Sequence, residues 1–282
     1  MILSTDSTAN LPKRLYSELE VSMIPLQIYL DGEIYDDLSK KLPVQEFYSK
    51  MKNGAEPKTA QINEQTAREY FERLLTTGDD VLHISFSSAL SGNTSTIIRI
   101  ANELNQTHKN KVVVIDSLNA SLGEGLLVLY AHDLIKTGKS IDEVAAEIEK
   151  LKTRVCSFFT VEQLKYLVRG GRVSKFSGVL GSLLNIKPIL KVDPEGRLVA
   201  HKKVISRKKS IQELVSICKN KIDDKKYMFI AHAVCEDEAK QLANMVKTEI
   251  GVNAEVVDLT QVIGSHTGPG LIALFFVGKE EN

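Results

Sequence analysis

Short apolar runs alternate with longer segments of mixed polarity along the first half of this chain. Val81-Leu82-His83-Ile84-Ser85-Phe86 predicts a strand, Asn93 to Leu104 a helix, Val112 to Ile115 a second strand, and another helix begins near Leu122. Apolar positions recurring every three or four residues mark the helices, and short β-branched runs mark the strands. Such continuously apolar strands are covered on both faces, which belongs to a mainly parallel sheet flanked by helices. Ligands of these sheets collect at the carboxyl ends of the strands.

The second half has a different rhythm. A strand near Val155 to Phe159 is followed by a Gly-rich helical stretch from 162 to 184 and by two strands bracketing Asp193-Pro194-Glu195-Gly196, a sequence that predicts a hairpin turn. A helix from about Lys208, a strand at Tyr227 to Ala233, a helix at Glu236 to Ile250, a strand at Ala254 to Leu259 and a final apolar strand complete the pattern. The change of character near residue 154 predicts two α/β domains, residues 1–153 and 154–282. With no Pro-rich linker between them, a packed interface that could hold a ligand is expected.

Composition narrows the function classes. A length of 282 residues with 43% hydrophobic content supports a substantial core. Its 36 basic and 36 acidic side chains cancel, which argues against binding nucleic acid or membrane by bulk electrostatics. Cys156, Cys218 and Cys235 are far apart and odd in number, so neither a disulfide framework nor a zinc site is indicated. No apolar run has the length of a membrane span, and the N-terminus lacks a signal-type pattern, so a cytoplasmic protein is expected.

Several segments carry candidate chemistry. Gly264-Ser265-His266-Thr267-Gly268-Pro269-Gly270 places a histidine in a loop dense with turn formers, either a place where glycines let the backbone approach a ligand or a tight connection with an incidental histidine. Ser87 through Thr94 opens a helix after a buried strand, which suits either an anion or plain capping by Ser91. Thr59, ahead of a helix beginning near Glu64, offers a further hydroxyl or an ordinary loop residue. Asp6 and Asp116 end strands; Asp6 is read as a cap, with catalysis as the alternative. His201 through Lys209 holds five permanent positive charges and no negative one, either a solvated face or a place for phosphate or an acidic partner. In Leu167 through Ser174 a helix C-cap accounts for Gly170 and Gly171, though not for Arg172. Gly138-Lys139-Ser140 is not a phosphate-binding loop because it ends a helix, and no dinucleotide, nucleophile-elbow or metalloprotease pattern is present.

In their order and spacing, Asp6-Ser7-Thr8, Thr59-Ala60-Gln61, Leu90-Ser91-Gly92, Asp116-Ser117, Leu167 through Ser174, Lys187-Pro188, Arg207-Lys208-Lys209 and His266 through Gly270 resemble the DegV family of bacterial fatty-acid-binding proteins. The resemblance runs over essentially the whole chain. It implies that one long-chain fatty acid, palmitate for example, lies between two α/β domains, with its carboxylate at the interface and its tail buried. Carried across by motif, Thr59 and Ser91 would bond the carboxylate, with the N–H groups of Gly92 and Asn93 and the His266 imidazole beside them. Phe176, Val179, Leu180, Leu183 and Leu184 are candidates either for the lining of the tail's tunnel or for ordinary core. The resemblance further implies a non-catalytic component of a fatty acid kinase that needs no metal or cofactor and presents its lipid to a separate ATP-dependent subunit, Arg207 and His266 meeting the acyl phosphate or that partner. The chain has Ala60, Asn93 and Ile205 where the family often has Ser, Thr and Arg. A self-sufficient phosphotransferase or hydrolase using Asp6 or His266 is the competing reading.

Overall fold

A computed structural model describes residues 1–37, 41–173 and 186–280. In chain order its strands are β1 (Ile2–Asp6), β2 (Ser22–Ile24), β3 (Gln27–Leu30), β4 (Glu33–Asp36), β5 (Lys58–Ala60), β6 (Val81–Ser85), β7 (Val112–Asp116), β8 (Val155–Thr160), β9 (Ile189–Val192), β10 (Leu198–Lys202), β11 (Ile222–His232), β12 (Glu255–Asp258) and β13 (Ile272–Gly278). The helices are α1 (Lys13–Glu18), α2 (Val44–Lys52), α3 (Glu64–Leu75), α4 (Asn93–Leu104), α5 (Leu122–Lys136), α6 (Ile141–Lys152), α7 (Lys165–Arg169), α8 (Arg207–Lys221), α9 (Glu236–Ile250) and α10 (Gln261–Thr267).

The expected parallel sheet is present. Strands β2, β1, β6 and β7 lie side by side in that order, every pairing parallel. Ser4 pairs with His83, so the alternation of side chains puts Ser4, Asp6, His83 and Ser85 on one face. Helices α3 and α4 cover that face, whereas Thr5 on the other meets Glu124 of α5. Strand β6 is buried along its whole length because helices close both sides. A small antiparallel sheet, β4-β3-β5, carries Thr59 on its third strand.

The second large sheet has the order β10-β9-β8-β13-β11-β12 and is mixed, with only β11 and β12 parallel. Its strands all come from residues after 153. The Asp193–Gly196 turn closes the β9–β10 hairpin as expected, with Gly196 at φ +77° and its N–H on the Asp193 carbonyl. Strand β13 shows why a continuously apolar run was needed. Ile272, Leu274 and Phe276 point into a core shared with α8 and α9, while Ala273 and Phe275 point back toward the first half of the chain. A second core therefore joins both halves, running from Leu3 through α5 to Phe275.

Two local readings change. His266 is not in a loop: it occupies the last turn of α10, which buries Val262 and Ile263, and the turn formers Gly268 to Gly270 follow it. Asp6 does not cap. Its side chain makes no bond to the following turn and points instead into the sheet's interior. Of the expected helical stretch 162–184, α7 covers Lys165–Arg169; Ser174 and the tunnel candidates Phe176 to Leu184 lie outside the described residues.

Candidate functional site

The carboxyl ends of β1, β6 and β7 face the β8–β13 side of the second sheet, and a cavity of about 400 Å³ lies between them. Thr8 follows β1, Phe86, Leu90, Ser91 and Gly92 follow β6, and Ala120 and Ser121 follow β7; all line it. The opposite wall is Ser157, Phe159, Ala273 and Phe275. Helix α10 closes a third side with Val262, Ile263, His266 and Thr267, and β5 brings Thr59 and Ala60. The cavity is apolar over most of its wall, with hydroxyls, an imidazole and a guanidinium gathered where β5, the β6–α4 turn and α10 meet.

Thr59 and His266, 207 residues apart, are hydrogen-bonded, Oγ1 to Nε2, at 2.8 Å. Burial, then the nearby guanidinium groups of Arg172 and Arg169, push the imidazole down to about 4, so it is neutral near pH 7. Its Nδ1 is buried with no hydrogen-bond partner. A buried N–H left unpaired costs more than a buried lone pair, so the proton belongs on Nε2. His266 then donates to Thr59 Oγ1, which frees the Thr59 hydroxyl proton for an anion in the cavity. Ser91 is prepared in the same sense: its Oγ accepts the Asn93 N–H at 3.2 Å and keeps its own proton to give.

Arg172, unexplained by a cap, stands exposed at the edge of this polar cluster. Its Nε donates to the Leu90 carbonyl at 3.2 Å and Nη1 to the Gly170 carbonyl at 2.6 Å. Gly171 adopts φ +68°, the left-handed turn expected of a C-cap, but Gly170 does not; its lack of a side chain serves His266 instead. Gly268 likewise permits a close approach to protein, not ligand: a Cβ there would clash with the Cδ2 edge of the Tyr166 ring.

The expected site residues divide into three groups. Thr59, Ser91, Gly92 and His266 all line the cavity. Asn93 is fully buried, with its N–H taken by Ser91 and its side chain turned away toward Asp6. Arg207 does not line the cavity; it is bound to Glu238 through Nε and Nη2 at 3.1 and 3.0 Å, where α8 starts. Asp6 is also off the wall and holds four donors, His83 Nε2, Ser85 Oγ, the Phe86 N–H and Asn93 Nδ2. Asp116 accepts the N–H groups of Ser88 and Leu118. Arg172 and Gly170 are the site residues that motif reading had not assigned; the unexplained arginine beside a double glycine was their signal.

Among the described residues no group of three or more His, Cys, Asp and Glu side chains could hold a metal ion. All three cysteines are free thiols. No helix among the described residues is long and apolar enough to cross a membrane.

A parallel sheet whose carboxyl edge meets the face of a mixed sheet across a largely apolar cavity defines a two-sheet α/β architecture. The chain belongs to the DegV family: residues 2–279 match the family described as "Uncharacterised protein, DegV family". It is 38% identical to a DegV domain-containing protein of Clostridium perfringens over 98% of this chain and 97% of that one. A DegV family protein of Thermus thermophilus described as fatty acid binding superposes with a TM-score of 0.89 at 32% identity, covering 98% of this chain and 99% of the other. DegV of Bacillus subtilis, described as a fatty acid binding protein, gives a TM-score of 0.85 at 30% identity and 99% coverage of both chains.

Proposed function

We propose that this protein binds one long-chain fatty acid in the cytoplasm and presents it to a separate ATP-dependent kinase subunit that makes the acyl phosphate. The observation that carries the reading is the polarity of the cavity. One end offers the hydroxyls of Thr59 and Ser91, both free to donate, with neutral His266 behind Thr59 and Arg172 at the edge; the remaining wall is mainly aliphatic and aromatic, with Thr8, Ser121 and Ser157 as scattered further hydroxyls. Charge-assisted hydrogen bonds to a carboxylate contribute about 1.5–3 kcal/mol each, and each tail methylene taken out of water contributes about 0.8 kcal/mol. The fatty acid binding described for the Thermus thermophilus and Bacillus subtilis proteins supports the same occupant. In this reading the domains meet near residue 153, and the second supplies the acyl wall and the His266 helix.

Presentation to a partner draws on the exposed position of Arg172, beside the proposed carboxylate. Arg207, engaged with Glu238 and followed by Lys208 and Lys209, is assigned to the partner's docking surface and not to the lipid. The self-sufficient enzyme is disfavoured by the surroundings of its two candidate groups. Asp6 is fully buried with its carboxylate occupied, and His266 has no carboxylate to orient it as a general base.

Native mass spectrometry of the purified protein with lipid extraction tests the binding. One fatty acid per chain is expected; an empty protein that gains no thermal stability from added fatty acid would overturn it. The kinase role is tested by trapping acyl phosphate as a hydroxamate: product is expected only when the protein, ATP and a fatty acid kinase catalytic subunit are combined. Product without that subunit would establish the rival enzyme.

A further inference from the structure

The two hydroxyls of the polar end stand on different elements, and one buried amide ties those elements together. Asn93 Oδ1 accepts the Ile62 N–H at 3.1 Å, fixing the connection that follows Thr59 on β5. Its backbone N–H reaches Ser91 Oγ. Its Nδ2 donates to Asp6 Oδ2 at 3.0 Å, and that same oxygen accepts Ser85 Oγ and the Phe86 N–H, each at 2.9 Å. Asn93 and Asp6 are both fully shielded from solvent. The two arms touch directly as well, since a Cβ on Gly92 would lie 2.5 Å from Gln61 Oε1.

We infer that Asn93, anchored by Asp6, is the positioning residue that sets the distance between the Thr59 and Ser91 hydroxyls and thereby the site's selectivity for a carboxylate head group. The inference rests on the fatty acid reading above. A carboxamide is suited to the role because it offers an acceptor in one direction and a donor in the other. Aspartate would keep the acceptor for Ile62 but set a second carboxylate against Asp6. Alanine would leave the Ile62 N–H unpaired in a buried place and would cut the tie to Asp6, whose Oδ2 keeps its bonds from Ser85 and Phe86. Asp6 supplies the fixed point: it ends β1 at the centre of the parallel sheet, and His83 holds its other oxygen at 3.2 Å. Neither Asn93 nor Asp6 needs to touch the lipid, and neither lines the cavity.

The test compares stearic acid with stearyl alcohol, which shares the tail and lacks the carboxylate, on the parental protein and on Asn93→Ala, Asn93→Asp and Asp6→Asn. In the parental protein the acid binds more tightly than the alcohol. The inference expects the acid's Kd to rise ten-fold or more in Asn93→Ala and Asn93→Asp while the alcohol's Kd moves less than three-fold. Equal weakening of both ligands, or no weakening of either, would overturn it. Asp6→Asn keeps the shape of the anchor and is expected to show the same selective loss if it folds. Should a variant unfold, Gln61→Ala supplies a second measurement, since loosening the contact between the arms must also lower the affinity for the acid relative to the alcohol; an unchanged relative affinity there counts against the inference. Failure of the parental protein to bind stearic acid is a separate outcome and removes the fatty acid reading itself.

Discussion

Gly170 is the floor on which His266 rests: a Cβ at that position would lie 2.6 Å from His266 Nδ1. The glycine follows α7 and the histidine lies in the last turn of α10, so the contact joins segments 96 positions apart and holds the imidazole against Thr59. Gly170→Ala is expected to push the ring aside and raise the fatty acid Kd roughly ten-fold, the equivalent of about 1.4 kcal/mol. Calorimetric titration checks this. An unchanged Kd would mean that His266 has room to spare.

On the proposed function, the neutral imidazole should make binding proton-linked. Free protein holds His266 near 4 through burial and its arginine neighbours. Since the folded value lies below that of the unfolded chain, stability conferred at neutral pH is lost as pH falls from about 6.5 toward 4. A carboxylate arriving beside Thr59 pulls the imidazole back up. Binding measured near pH 5.5 in two buffers of different ionisation heat is therefore expected to show proton uptake, which His266→Gln abolishes.

Asp37 carries the opposite dependence. It accepts the Val262 N–H at the start of α10 at 3.1 Å, yet burial raises its carboxyl to about 7. A folded-state value above the unfolded one means that the native protein binds the extra proton, so this group's contribution falls as pH rises from about 4 to 7. Asp37→Asn is expected to flatten that part of the stability profile in urea titrations. A profile parallel to the parental one would show that Asp37 is ionised throughout.

The β13 face that lines the cavity is expected to limit how much of a fatty acid's chain can enter. Ala273 lies between Leu271 and Phe275 on that face and pairs with Phe159. Ala273→Leu fills the space with three more carbons and is expected to weaken C18 acids at least ten-fold, and C12 acids less. The ratio of the two affinities, measured by displacement of a fluorescent lipid, decides the matter.

The other face of the same strand serves stability. Phe276 is fully buried and stacks near Phe158, with centroids 6.3 Å apart. Phe276→Ala is expected to cost about 3–5 kcal/mol of unfolding free energy, while protein still folded at low temperature keeps its lipid affinity. A selective loss of affinity without loss of stability would contradict this division of faces.

Much of this architecture is legible in the chain itself. The continuous apolar runs at 81–86 and 112–115 announced a doubly covered parallel sheet because a strand buried on both faces has no polar side to show. Asp-Pro-Glu-Gly announced its hairpin because local dihedral preferences suffice to make one. Thr59, Ser91 and His266 were nominated by motif, and all three line the cavity. Local pattern went wrong where burial overruled it. A Gly-Ser-His-Thr-Gly stretch looked like a loop, yet Val262 and Ile263 bury the preceding turns and carry the helix through His266. Asp6 looked like a cap because that is what an aspartate after a strand commonly does; four donors from distant segments claimed it instead. The sequence by itself determined most elements of the two large sheets and which residues have hydroxyl or imidazole chemistry to offer, since those follow from periodicity and side-chain type; it did not announce the β4-β3-β5 sheet that carries Thr59. Only the tertiary structure decided that Thr59 meets His266, that Asn93 faces Asp6 and not the cavity, and that Gly170 makes room for a ring. Each of those is a contact across dozens or hundreds of residues, set by how the two sheets pack, and no local preference encodes it.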